Sequence, residues 1–127
     1  MYKQRLNNRF LKEFEQYNFS KIKEEKIFLV GSITIAKDLF IKIESILQLK
    51  YKKMFSICSV DGLLNKNDFS EEEWNILQEI ALKKLNEQEA ILVLNINDYI
   101  GKQSKEEINY FNNILKRPIY YLSELKN

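Results

Sequence analysis

Histidine is absent from this chain of 127 residues, and cysteine occurs once. Without imidazole or a group of thiolates, the chain can build neither a histidine-based catalytic triad nor a cysteine-rich zinc site. We therefore expect no metal and no cofactor, and any acid–base chemistry must use Asp, Glu, Tyr or Lys. The single thiol, Cys58, lies in an apolar run, which is typical of a buried, reduced cysteine in a cytoplasmic protein.

Long apolar runs are also lacking, since none approaches the ~20 residues of a membrane span. The first residues are charged rather than apolar, so we expect no secretion signal, no membrane contact and a cytoplasmic location. Residues 1–53 hold 12 Lys/Arg and 6 Asp/Glu. Because acids interrupt the bases and no basic cluster is interleaved with aromatics, solvated helix faces explain this excess better than direct nucleic-acid binding.

Four short apolar runs are continuous rather than alternating, as expected of strands covered on both faces. They are Ile27–Val30, Phe55–Val60, Ile91–Ile96 and Ile119–Leu122. The segments between them have helical period, and this alternation predicts a three-layer α/β fold. Its sheet has about four parallel strands in the flavodoxin-like order 2-1-3-4.

The second and third of these helices carry the clearest local signals. Ser70 and Glu73 have the spacing of a capping box, and Pro118 follows the end of the third helix. The predicted apolar faces are Trp74, Leu77, Ile80, Ala81 and Leu85 in the second helix, and Ile108, Phe111, Ile114 and Leu115 in the third.

The chain divides into an N-terminal extension, residues 1–25, and an α/β domain, residues 26–127. The spacing of apolar residues in the extension predicts an amphipathic helix. Its apolar side comprises Leu6, Phe10, Leu11, Phe14 and Tyr17. We expect this side to pack on the sheet or on a partner subunit, and we expect a homodimer.

In the order 2-1-3-4, the first and third strands are neighbours and ligands bind beyond their carboxyl ends. The loops that meet there contain two of the three glycines. Glycine lets the backbone approach a ligand or make a tight turn, and both interpretations stay open here. The candidate ligand-binding residues at this edge are Gly31, Ser32, Asn95, Tyr99, Gly101 and Ser104.

Several short motifs sit at these strand ends. Gly31-Ser32 follows the first run, Tyr99-Ile100-Gly101 follows the third, Glu107-Ile108 opens the next helix, and Arg117-Pro118 precedes the last run. Together they resemble the nucleoside 2-deoxyribosyltransferase-like superfamily, especially its small bacterial members, over roughly residues 26–122. The resemblance implies an α/β domain that binds a nucleoside or nucleotide.

In enzymes of that superfamily, the glutamate at this helix start attacks the anomeric carbon of the sugar, and Glu107 is the matching position. The resemblance implies a covalent glycosyl-enzyme, which water or a second base then resolves. We expect the helix N-terminus to favour ionised Glu107. The candidates that would assist departure of the base are Asp98, Tyr99 and Asp61. This chain differs from the transferases at Leu29 and Ala81, where they carry an aromatic hydroxyl and an aspartate.

Helix capping is the alternative role for Glu107. Ser104 and Glu107 also have capping-box spacing, in which Ser104 would cap the helix and the glutamate would bond to the backbone of Ser104. Three functions therefore remain: an N-glycosidase or deoxyribosyltransferase-like enzyme, a non-catalytic nucleotide-derivative binding module, and a structural dimer with a vestigial site.

Overall fold

The computed structural model describes residues 3–31, 33–57, 66–95, 100 and 102–127. Of residues 33–36, 66, 102 and 103 it describes the backbone only. The helices are α1 (Asn8–Glu13), α2 (Ile33–Leu49), α3 (Glu71–Asn86) and α4 (Lys102–Tyr110), and a π-helical segment, Phe111–Leu115, continues α4. The strands are β1 (Lys26–Gly31), β2 (Met54–Ser56), β3 (Ala90–Leu94) and β4 (Ile119–Tyr121). Short 3₁₀ turns lie at Phe19–Lys21, Lys66–Asp68 and Leu122–Leu125.

The four strands form one parallel sheet in the order β2-β1-β3-β4. This confirms the predicted α/β class and strand order. The two central strands are almost wholly buried, and the three-residue strands β2 and β4 form the edges. Continuous apolar runs identified the central strands because parallel strands are covered on both faces.

Side chains of the central strands alternate between two hydrophobic clusters. Ile27, Leu29 and Leu92 join α1 and α2 in one cluster, and Phe28, Val30 and Val93 join α3 and α4 in the other. The helices that follow β1 and β3 therefore pack on opposite faces of the sheet. This arrangement defines a switch point between the two central strands.

The N-terminal extension packs on the sheet. Phe10, Phe14 and Phe19 are buried in the cluster beneath α1 and α2. Residue Tyr17 forms an antiparallel bridge with Lys126, and the Asn18 N–H donates to the Leu125 carbonyl over 2.7 Å. The apolar side of the extension thus packs within the chain, which is the first of the two arrangements that we expected.

The capping box of α3 is confirmed. The Glu73 N–H donates to Ser70 Oγ over 3.1 Å, and the Ser70 N–H donates to Glu73 Oε1 over 2.9 Å. The predicted apolar face of α3 is partly wrong, however. Ala81 and Leu85 are buried, but Ile80 is 41% exposed, and Ile76 beside it is 51% exposed.

The end of α4 also differs from expectation. Its last turns widen into the π-helical segment, which ends at Lys116 with a left-handed backbone (φ 55°). The wider turn shifts the side-chain register, so that Phe111 is buried while Ile114 is 65% exposed instead of sharing its face. Arg117 then donates from Nη1 to the carbonyls of Asn86 and Gln88, over 2.6 and 2.7 Å, at the carboxyl end of α3.

Candidate functional site

The carboxyl ends of β1 and β3 lie side by side, as the switch-point hypothesis requires. Gly31, the last residue of β1, is in register with Leu94, the last residue of β3. Asn95 follows β3 directly, and α4 begins at Lys102. In parallel α/β sheets, this is the edge where ligands bind.

Close packing around Gly31 favours a residue without a Cβ. Its φ is not positive, so no left-handed turn demands glycine there. A Cβ at this position would lie 3.1 Å from Leu94 Cβ and 3.2 Å from Phe40 Cε2. Glycine therefore lets α2 and β3 approach β1 closely, and this contact alone accounts for the residue.

Asn95 holds the C-terminal turn to the sheet. Its Nδ2 donates to Ser123 Oγ over 2.8 Å, and the Ser123 N–H donates to Asn95 Oδ1 over 3.2 Å. Because both ends of the amide are engaged, only one N–H and one oxygen lone pair remain for a ligand. The predicted binding residue thus has a clear structural role.

The predicted capping box at Ser104 is wrong. Helix α4 begins at Lys102, so Ser104 is the third residue of the helix and not its cap. Its side chain is only 6% exposed. Among the hydrogen bonds of the described residues none joins Ser104 to Glu107, whereas the same spacing at Ser70 and Glu73 makes both bonds of the box.

Glu107 lies on the inward side of α4. It follows Ser104 by three residues and precedes the fully buried Phe111 by four, so helical period puts the three on one side. Helix α4 contacts β1, and Phe111 packs in the same cluster as Phe28 and Val30. The Glu107 side chain is half-buried, on a helix that follows β3 and contacts β1.

Burial raises the pKa of Glu107 to about 7, and the neighbouring charge of Glu106 contributes in the same direction. This direction is opposite to the one that we expected from the helix N-terminus. Loss of hydration at a carboxylate outweighs the attraction of the helix dipole, which is worth about 0.3–1 kcal/mol at exposed sites. A carboxyl group whose pKa is raised toward neutral pH can both accept and release a proton in that range.

A cleft of about 800 Å³ lies beside α4 on the side of β4. Three of its polar residues, Lys105, Asn109 and Asn112, follow one another at helical spacing, a pattern that sequence inspection could have found. Glu107 is on the other flank of the helix and does not line this cleft. The lining residues are Ile100, Lys105, Glu106, Ile108, Asn109, Asn112 and Tyr121.

Five of the predicted site residues, Ser32, Asp61, Asp98, Tyr99 and Gly101, lie outside the described residues. The two positions that differ from the transferases, Leu29 and Ala81, are 2% and 7% exposed and belong to the packed interior. The described residues bring no group of Asp, Glu or Cys together that could hold a metal ion. They also contain no helix that is long and apolar enough to cross a membrane.

Comparison of the chain with models of known protein families, with curated proteins and with solved structures finds no match.

Proposed function

We propose that the crevice at the carboxyl ends of β1 and β3 binds a nucleoside or nucleotide and that Glu107 acts on its N-glycosidic bond. The observation that carries this proposal is the desolvated carboxyl group of Glu107 on the inward side of α4. A strongly perturbed carboxyl group in a ligand-binding position is a candidate for catalysis. The motif resemblance to the nucleoside 2-deoxyribosyltransferase-like superfamily supplies the reaction.

In this proposal the ionised form of Glu107 attacks the anomeric carbon. The bond between the sugar and the base breaks, and the base leaves with the electron pair and takes up a proton. Water then cleaves the glycosyl ester, which releases the sugar and regenerates the carboxylate. The raised pKa makes the carboxylate a stronger base, and a positively charged, oxocarbenium-like transition state favours its ionised form.

A screen of nucleosides and nucleoside monophosphates for release of free base tests the proposal. We expect Glu107→Gln to lower turnover at least ~10²-fold. Glu106→Gln is the matched control, because this adjacent side chain is exposed. It is expected to keep turnover and to move the pH midpoint of the reaction downward, since one negative charge near Glu107 is removed.

The pH dependence distinguishes two roles for Glu107. A nucleophile gives activity that rises as the pH passes about 7, because the ionised fraction grows. A general acid gives activity that falls over the same range. Turnover that persists in Glu107→Gln, or that falls with rising pH, would contradict the nucleophile.

A non-catalytic binding module is the second candidate, and the cleft beside α4 favours it. Asn109, Asn112 and Lys105 offer amide and ammonium groups that suit a polar ligand, and Glu107 lies away from them. A nucleotide held there would raise thermal stability without turnover, because a ligand selective for the folded state stabilises it by mass action. Asn109→Ala combined with Asn112→Ala is expected to abolish that stabilisation, whereas Glu107→Gln is expected to preserve it.

A further inference from the structure

Helix α3 carries an apolar stripe on its outward side. Ile76 and Ile80 lie one turn apart and are 51% and 41% exposed. The inward side of the same helix, which includes Ala81 and Leu85, already packs on the sheet. The two isoleucines therefore contribute little to the core, and their exposure is unfavourable unless another surface covers them.

Charged residues of opposite sign stand at the two ends of this stripe. Glu72 precedes Ile76 by one turn and Lys83 follows Ile80 by three residues, so the four side chains share one side of the helix. Both charged side chains are exposed. Within the described part of the chain, neither forms a hydrogen bond or an ion pair.

The charges along the stripe are complementary to those of a second copy that packs antiparallel to it. A two-fold axis near residue 78, perpendicular to the helix, places Ile76 against Ile80 of the partner subunit. The same axis brings Glu72 beside Lys83 of the partner subunit, because both lie on the same flank of the stripe. A parallel pairing would instead place like charges together, and like charges across an interface are strongly disfavoured.

We propose that α3 forms the contact between two copies of this chain, packed antiparallel about this two-fold axis. A second copy is the partner because the order acid, isoleucine, isoleucine, base along α3 is complementary to its own reversal. This contact lies on the α3 and α4 face of the sheet, opposite the N-terminal extension.

Sedimentation equilibrium over a concentration series tests the apolar part of the contact. The full chain is expected to dimerise, and Ile80→Lys is expected to be monomeric at the same concentrations. Leu82→Lys is the matched control, because Leu82 is 42% exposed on the same helix but on its other flank. A monomeric wild type, an unchanged dimer in Ile80→Lys, or equal loss of the dimer in Leu82→Lys would overturn the proposal.

Charge reversal tests the pairing itself. Glu72→Lys alone and Lys83→Glu alone each create two repulsive contacts per dimer, and we expect each to weaken the dimer at least about tenfold. An equimolar mixture of the two variants restores both attractive contacts, so the heterodimer is expected to regain wild-type affinity. Failure of the mixture to associate would rule out the antiparallel register. Ile76→Lys is a second variant that disrupts the apolar contact. Circular dichroism establishes that each variant is folded.

Discussion

Replacement of Glu107 by glutamine is expected to make the protein more stable near and above neutral pH. In the folded chain the pKa of this carboxyl group is about 7, against an ordinary value of 4.5. The raised value means that folding favours the protonated form. The amide of glutamine resembles that form in size and neutrality, so Glu107→Gln removes the unfavourable burial of charge.

The size and sign of the effect follow from proton linkage. Below pH 4.5 the group is protonated in both states, and it does not disfavour folding. Between 4.5 and about 7 the unfolded chain ionises first, so stability declines as the pH rises. Above 7 both states are ionised and the whole penalty is present, about 3.5 kcal/mol if each tenfold change in proton affinity is worth about 1.4 kcal/mol.

Urea unfolding measured across this pH range is the appropriate assay. The free energy of unfolding of Glu107→Gln should equal that of wild type near pH 4 and exceed it by about 3 kcal/mol near pH 8. Glu106→Gln serves as the control: it should keep the decline but move its midpoint to lower pH. A difference between wild type and Glu107→Gln that stays constant from acid to alkaline pH would refute the reasoning.

Three further substitutions test the local structure by urea unfolding at a single pH. Ser70→Ala removes the cap of α3 and should lower the free energy of unfolding by ~1 kcal/mol; an unchanged value would show that the capping box contributes nothing. Gly31→Ala introduces a Cβ 3.1 Å from Leu94 Cβ and should lower the free energy of unfolding by about 1–3 kcal/mol; an unchanged value would mean that the neighbouring side chains move aside without cost. Lys116→Gly removes the strain of a left-handed backbone and should raise the free energy of unfolding by about 1 kcal/mol; a lower value would show that the backbone of Lys116 is not strained.

Ser70 and Ser104 show what a local sequence pattern can and cannot predict. Both precede a glutamate by three residues, and the pattern predicts a capping box at each. The first forms both hydrogen bonds, while the second lies inside its helix with a side chain that is 6% exposed. The spacing is therefore compatible with a capping box but does not by itself determine where a helix begins.

The candidate site was also only partly predictable from the sequence. The chain order of apolar runs and helical segments was sufficient to predict the switch point, because right-handed crossovers leave few arrangements for a small parallel sheet. Sequence could not predict that Asn95 would bond to Ser123, or that Gly31 would be pressed between Leu94 and Phe40. These contacts join residues that are remote along the chain, and their geometry depends on the assembled layers.

The sequence by itself determined the α/β class, the parallel order of the four strands, the cap of α3 and the exclusion of histidine chemistry. These features depend on residue type and on periodicity over one or two turns. Only the tertiary structure decided the burial of Glu107, the flank of α4 on which the cleft opens and the exposure of Ile76 and Ile80. Each of these depends on hydration and packing, which are set by the neighbours that the fold brings to a residue.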